Sequence, residues 1–272
     1  MNRASVEKSI GAFIMKGTIM RVLTCEQISD GHPDKICDQI ADAIVTDCLK
    51  HDPKSRVAIE CLIKDNHVII AGELTSTHKP DYRALVDSVF TKIGWERMGC
   101  GNPVLYAGPD IGILVKEQSA DIALGVDKGG AGDQGIMYGF ATNETPELMP
   151  IPFMVATRFL QILRNHPSRM FRADAKAQVS FDYDTGRITT FLCSVQHSPD
   201  VEVADFRHII ESIMVLAASE YVLNTPAIRS CRSVTLTAAS GCGEMTGSIH
   251  SFIWKSTTRR SLTERLSRQS RK

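Results

Sequence analysis

Two stretches of the chain show apolar positions in the same succession of patterns. In the first, apolar residues spaced three or four apart predict a helix over 33–50, with a proline in its first turn, where the missing N–H costs nothing. Apolar and polar positions then alternate, which predicts a hairpin over 57–76 that turns at Asp65-Asn66. Helical spacing returns over 82–93.

The second stretch repeats this order about 110 residues later. It predicts a helix over 148–164, a strand over 178–183, a turn at Asp184-Thr185-Gly186, a strand over 187–196 and a helix over 203–217. Two helix–hairpin–helix units indicate an α+β fold of repeated subdomains, each a mixed or antiparallel sheet covered by helices. The sequences of the two copies share almost no identities, so the repeat rests on the order of the elements.

The two ends of the chain differ from these stretches. Met15 and Met20 are both plausible starts, so we expect residues 1–19 to be an N-terminal extension. Residues 228–272 carry nine Lys+Arg against two acidic residues and fifteen Ser+Thr. Such a segment buries little apolar surface, so we expect one or two strands, around 234–236 and 249–254, followed by a disordered basic tail.

Composition narrows the class of protein. The 272 residues are 43% hydrophobic and carry 31 Lys+Arg and 31 Asp+Glu, which is typical of a soluble globular protein and argues against a nucleic-acid binder. No apolar run reaches the roughly 18 residues of a membrane helix, and no secretory signal stands out. The eight cysteines form no CxxC pair, so we expect reduced, buried thiols in a cytoplasmic protein.

The densest candidate chemistry is the segment 29–35, SDGHPDK, at the start of the first predicted helix. The N–H groups and the dipole at a helix start favour anions, so His32 could donate to a phosphate or ribose oxygen and Asp34 could hold magnesium. The alternative is a capping cluster, with Ser29 or Asp30 as the cap and the rest a solvated first turn.

Three further signals are weaker. Asp133 lies in a glycine-rich loop, GGAGDQG, that could approach a phosphate or could be a plain turn. Asp174 and Lys176 point to one side of an extended segment and could bind a nucleotide or form a surface ion pair. Glu60 and Glu73 each interrupt an otherwise apolar strand, which indicates either a bound partner group or an exposed face.

Together, these segments resemble the S-adenosylmethionine synthetase family both in the order of the motifs and in the residues within each motif. The strings that carry the resemblance are SDGHPDK (29–35), DQIADA (38–43), RVAIE (56–60), AGELT (71–75), KEQSADIALGVD (116–127), GAGDQGIMYGFATNET (130–145), LMP (148–150), RADAKAQ (172–178) and QHS (196–198). The resemblance covers roughly residues 20–226, the first two of the family's three repeated domains. It implies an N-terminal synthetase repeat over 20–127, with a gating loop over 116–130, and a central repeat over 128–227.

The resemblance implies a reaction in which the sulfur of methionine attacks the 5′ carbon of ATP and expels triphosphate, which is then hydrolysed to pyrophosphate and phosphate. It implies magnesium and potassium as cofactors and a site shared between two subunits of a homodimer or higher oligomer. The residues to which it assigns roles are His32 and Lys176 in catalysis, His32, Asp133, Asp174 and Lys176 in ATP binding, Glu73 and Gln118 in methionine binding, Asp34 and Glu26 at magnesium, and Glu60 at potassium.

The resemblance fades after Asn224. Residues 241–247, GCGEMTG, echo one family string faintly, but Ser248-Ile249 stand where the family has Arg-Lys, and a later segment bearing lysine and aspartate has no counterpart. Three interpretations remain open: a short synthetase that still forms product, a non-catalytic or weakly active subunit that modulates a full-length synthetase, or a degenerate end on a formerly complete enzyme. We favour the first, because every matched polar residue of the first two domains is retained.

Overall fold

A computed structural model describes residues 21–64, 67–94, 108–119, 134–168, 170–198, 201–222 and 248–255. The described strands are β1 (Val22–Ile28), β2 (Arg56–Lys64), β3 (His67–Thr75), β4 (Asp110–Lys116), β5 (Phe171–Asp182), β6 (Arg187–His197) and β7 (Ser248–Lys255). The described helices are α1 (Pro33–His51), α2 (Tyr82–Ile93), α3 (Ile151–Asn165) and α4 (Val203–Ser219).

The strands form two sheets. The larger has the order β1-β5-β6-β7 with every neighbouring pair antiparallel. The smaller has the order β2-β3-β4, in which β2 and β3 form the antiparallel hairpin and β4 runs parallel to β3. The fold is therefore α+β with one antiparallel and one mixed sheet, as the sequence predicts.

Each sheet buries one face under two helices. Ile36, Ile40 and Ile44 of α1 are buried with Val68 and Ile70 of β3 in one core. In the other core the inward positions of β5 and β6 meet α3 and α4, whose Phe159 and Phe206 are almost fully buried. Burying each side chain of this size stabilises the fold by about 1.5–3 kcal/mol. The apolar face of each helix therefore packs against the sheet.

The four helices and the two hairpins lie where the pattern predicts them, and a strand also forms close to the predicted 249–254. The prediction is incomplete for three strands. β5 begins at Phe171, seven residues before the predicted start. β1 and β4 were not predicted at all, and both are edge strands whose side chains are largely exposed or half-buried. A hydrophobic pattern is weak in such strands because one edge and one face remain open.

Other expectations concern residues outside the described part. These are the extension 1–19, most of the gating loop 116–130, the strand around 234–236, and the tail beyond residue 255. Five cysteines are described, all as thiols, of which Cys48 and Cys193 are buried and the others half-buried. Burial raises the pKa of both Cys37 and Cys61 to about 11, which keeps these thiols protonated. Among the described helices, none has the length and apolar character needed to cross a bilayer.

Candidate active site

The pairing of β1 with β5 brings together two residues that are distant in the sequence. Glu26 faces Gln178 across the ladder, and Lys176 lies two register positions away, opposite Ile28. The Lys176 Nζ atom is 3.0 Å from Glu26 Oε1, and both side chains are partly open to solvent. A cation and a carboxylate thus stand side by side where the sheet meets the start of α1.

The segment between β1 and α1 is held closely against β5. Ser29 donates its backbone N–H to the Ala175 carbonyl at 2.8 Å and its hydroxyl to the Ala173 carbonyl at 2.6 Å, and its Oγ accepts the Ala175 N–H at 2.7 Å. Gly31 is buried so tightly that an added Cβ would stand 2.3 Å from the Cβ of Ala173 and 2.6 Å from its carbonyl carbon. Only glycine lets the chain approach β5 this closely.

His32 is the N-cap of α1, not Ser29 or Asp30. Its Nδ1 accepts the backbone N–H of Asp34 at 3.2 Å, which satisfies one of the N–H groups that a helix start leaves without an intrahelical partner. Ser29 cannot cap because its hydroxyl is bound to β5, and the Asp30 carboxylate lies 3.5 Å from Nε of Arg164. Since Nδ1 accepts the backbone N–H, Nε2 is the ring nitrogen of His32 that can donate to a ligand.

Asp174 joins these groups from β5. Burial raises the pKa of its carboxyl above the usual value; His32, when it is protonated, and the Lys176 ammonium oppose the shift, and the Asp34 carboxylate adds to it. Asp174 lies between Ala173 and Ala175, whose backbone groups bind Ser29, so the strand holds it beside the start of α1. The structure therefore brings five predicted residues into one cluster at the α1 N-terminus: Glu26, His32, Asp34, Asp174 and Lys176.

Glu60, Glu73 and Gln118 belong to the smaller sheet instead. Glu60 stands opposite Ala71 and Glu73 opposite Ala58, so both carboxylates lie on the face turned away from α1 and α2. Glu60 is exposed and Glu73 half-buried. This placement agrees with the exposed-face interpretation for the single chain.

Gln118 follows the end of β4, where its Oε1 accepts a hydrogen bond from Arg56 Nε at 2.9 Å. Because β4 runs parallel to β3 with Lys116 beside Glu73, Gln118 lies near the same end of the sheet as Glu73. Sequence reasoning overlooked Arg56 as the residue that positions Gln118. The alternation of Ile111, Ile113 and Val115 with other residues was the available signal for this strand.

The region after the glycine-rich loop is anchored through Glu144. Its carboxylate accepts from the Tyr183 hydroxyl at 2.6 Å, the Thr142 hydroxyl at 3.0 Å and the Ile151 backbone N–H at 3.2 Å. The chain therefore reaches α3 from a fixed point on the larger sheet. Asp133, the candidate ligand-binding residue of that loop, lies outside the described residues.

Comparison with known proteins identifies the family. Residues 20–120 match the N-terminal domain model of S-adenosylmethionine synthetase, and residues 128–231 match the central domain model. The chain belongs to the S-adenosylmethionine synthetase family. The resemblance carried by the motif strings is thus confirmed by two domain models that together span most of the chain.

Individual S-adenosylmethionine synthetases are moderately similar to it. The S-adenosylmethionine synthase of Mesoplasma florum is 39% identical over 217 residues, which are 75% of this chain and 57% of that protein. That of Prochlorococcus marinus is 38% identical over 239 residues, covering 78% and 57%. A solved structure, described as an unusual S-adenosylmethionine synthetase from Campylobacter jejuni, aligns at a TM-score of 0.62 and 34% identity over 72% of this chain and 53% of that one.

This chain spans a little over half the length of the synthases it matches. Glu26, His32 and Asp34 lie within the N-terminal synthetase match, and Asp174 and Lys176 lie within the central one. The cluster at the start of α1 is therefore a junction between the two matched domains.

Proposed function

We propose that the chain is an S-adenosylmethionine synthase that joins ATP and methionine and releases phosphate and pyrophosphate. The observation that carries the proposal is the convergence of His32, Asp34, Asp174, Lys176 and Glu26 at one helix N-terminus. Family membership supplies the reaction class, and the cluster supplies the groups that the reaction needs.

The reaction is a displacement at carbon. The methionine sulfur forms a bond to the 5′ carbon of ATP, the bond from that carbon to the triphosphate oxygen breaks, and the triphosphate leaves with its electron pair. Water then splits the triphosphate into phosphate and pyrophosphate. No covalent bond to the protein is required, so the protein contributes alignment and stabilisation of the leaving charge.

His32 and Lys176 are the groups suited to that leaving charge. The Nε2–H of His32 is available because Nδ1 is occupied by the Asp34 N–H, and the positive end of the α1 dipole lies beside it. The Lys176 ammonium can turn from Glu26 toward a phosphate, because both side chains are partly exposed. Asp174 would hold the Lys176 ammonium or a ribose hydroxyl in place.

Magnesium fits the carboxylates of this cluster. The Asp34 side chain is 84% exposed and projects from the first turn of α1, while the partly exposed Glu26 carboxylate lies beside Lys176. An arrangement of one or two carboxylates plus substrate phosphates is typical of protein-bound magnesium. When bound, the ion would neutralise part of the triphosphate charge.

A shared site between two copies accounts for the residues on the smaller sheet. Its outer face exposes Leu62, Ile69 and Leu114 at 56%, 37% and 66% beside Glu60 and Glu73. Apolar side chains clustered in this way mark an interaction surface. We infer that a second copy covers this face. Glu73 and Gln118 would then orient methionine, and Glu60 would hold potassium, next to the partner's cluster at the start of α1.

The segment 134–140 supports the same arrangement. Every residue in it is exposed, including Met137 at 88% and Tyr138 at 91%. Burial of large apolar side chains away from water lowers the free energy, and a second copy would provide the surface against which they pack.

The proposal is tested by incubating the purified chain with ATP, methionine, magnesium and potassium and measuring S-adenosylmethionine by mass spectrometry. We expect product from the wild-type chain and from His208→Ala, a change at an exposed histidine of α4, and none above background from His32→Ala. Equal product from His32→Ala would refute the site assignment. No product from any folded form would refute synthase activity and favour a subunit that acts with a full-length synthetase.

A further inference from the structure

A second cluster of ligating side chains lies at the opposite end of α1. It consists of Asp47 and His51, one turn apart on the helix, and His78, which follows β3. One ligand atom from each of the three lies within 4.8 Å of the others. Asp47 and His51 lie about 22 and 28 Å from His32 along α1, at about 1.5 Å per residue, so this cluster is separate from the one at the start of α1.

The distances in the cluster are short. Nε2 of His78 lies 2.7 Å from Asp47 Oδ2, and Nδ1 of His51 lies 3.4 Å from Asp47 Oδ1 and 2.8 Å from the Asp47 backbone carbonyl oxygen. The two imidazole rings stack with their centroids 4.1 Å apart. Ligand atoms around a tetrahedral zinc ion stand about 3.3 Å apart, given bonds of roughly 2.0–2.1 Å, and both histidine nitrogens lie close to that distance from the Asp47 carboxylate. To bind the ion through Nδ1, the His51 ring turns away from the Asp47 carbonyl.

The segment that carries His78 is fixed by the residues around it. Asp52 accepts from both the N–H and the hydroxyl of Thr77, at 2.8 and 3.0 Å. Ser76 accepts the His78 N–H at 3.0 Å and is itself 2.7 Å from the Ser55 hydroxyl. Such outer contacts preorganise the backbone of a metal site, and they hold His78 against the end of α1.

We propose that Asp47, His51 and His78 bind a divalent transition metal ion of the zinc type. Two imidazoles and one carboxylate suit zinc better than magnesium, which prefers oxygen ligands only. Three protein ligands leave a fourth position for water or for a group from another molecule. The ion would join the end of α1 to the connection between β3 and α2, and it would be distinct from the magnesium proposed at Asp34.

The test uses the full chain without a histidine tag, after treatment with a chelator and in excess magnesium. Zinc binding is measured by equilibrium dialysis and elemental analysis for the wild type, for His51→Gln/His78→Gln, and for the control His208→Gln. His208 is a matched control because it also lies near a carboxylate, Glu211, on an exposed helix face. Cobalt is added in parallel, because its spectrum distinguishes nitrogen and oxygen ligands from thiolates.

We expect one zinc ion more in the wild type and in His208→Gln than in the double variant, whose zinc affinity falls at least about tenfold. We expect cobalt to give weak visible bands without a thiolate charge-transfer band. Equal zinc binding by wild type and double variant would overturn the proposal, as would a cobalt–thiolate spectrum. If the double variant does not fold, Asp47→Asn replaces it, and unchanged zinc affinity in Asp47→Asn also overturns the proposal.

Discussion

Lys176 on β5 and Glu26 on β1 form an ion pair of 3.0 Å across a ladder whose partners are about 150 residues apart in sequence. Each side chain is more than a third exposed, so the pair itself adds at most about 1 kcal/mol to stability. Its proposed role is in catalysis, since it holds the Lys176 ammonium near His32, the N-cap of α1. Mutation of Lys176 should therefore change activity much more than stability.

Lys176→Met should lower the rate of S-adenosylmethionine formation by roughly a hundredfold or more, because a preorganised donor to the leaving triphosphate is lost. The free energy of unfolding should change by less than about 1 kcal/mol. Turnover by mass spectrometry and urea denaturation measure the two quantities. Arg158→Met, which breaks the exposed Arg158–Glu220 pair of 2.8 Å between α3 and the end of α4, is the control and should keep its activity. Equal activity in both variants would contradict the role of Lys176.

Asp174→Asn should stabilise the folded chain at neutral pH. The pKa of Asp174 is raised by burial, so ionisation of this carboxyl costs folding free energy that is absent below its unfolded pKa of about 3.9 and reaches its full size above the raised folded pKa. The gain in stability of the variant should therefore be larger at pH 7 than near pH 4. Urea denaturation of both proteins across this range checks the sign, and a variant that is less stable at pH 7 would contradict it.

Gly31→Ala should destabilise the chain by roughly 1–3 kcal/mol, because the added methyl group meets the Cβ and the backbone of Ala173. Ala173→Gly should restore only part of the loss, since the carbonyl atoms of residue 173 remain within 2.6–2.7 Å of the new Cβ. Gly112→Ala is the matched control, because the nearest atom to its added Cβ is 3.8 Å away. Thermal unfolding ranks the variants, and equal melting of both single alanine variants would argue against the close approach at Gly31.

Leu114→Glu should weaken self-association roughly a hundredfold, because it would place a carboxylate among the exposed apolar side chains on the outer face of β2, β3 and β4. Sedimentation across a range of concentrations measures the change. Leu216→Glu introduces the same charge at a leucine of α4 that is 51% exposed, and it should leave the association constant unchanged. A wild-type chain that sediments as a monomer at all concentrations would refute the shared site.

Glu60→Gln should raise the potassium concentration for half-maximal product formation by about tenfold, because an amide binds a monovalent cation more weakly than a carboxylate does. Titration of product formation with potassium at saturating ATP and methionine tests this. Glu211→Gln, a change on α4 far from the smaller sheet in sequence, serves as the control. A potassium response identical to that of the wild type would remove Glu60 from the cation site.

The sequence by itself determined the parts of the fold that local spacing encodes. The helices α1 and α2 begin and end within about one residue of the predicted bounds, because an amphipathic stripe and a capped start are local properties. The motif strings also identified the family. The alternative of a capping cluster, with Ser29 or Asp30 as the N-cap, is wrong about the cap, since the hydroxyl of Ser29 is bonded to β5, a strand more than 140 residues later.

Only the tertiary structure decided which strands pair and which site residues meet. β1 joins the larger sheet rather than the hairpin that follows it in the chain, and this pairing sets Glu26 beside Lys176. The same structure separates Glu60 and Glu73 onto another sheet and brings His78 to the end of α1. Such pairings join residues far apart in the sequence, and their free energy comes from burial and ladder hydrogen bonds that no local pattern records.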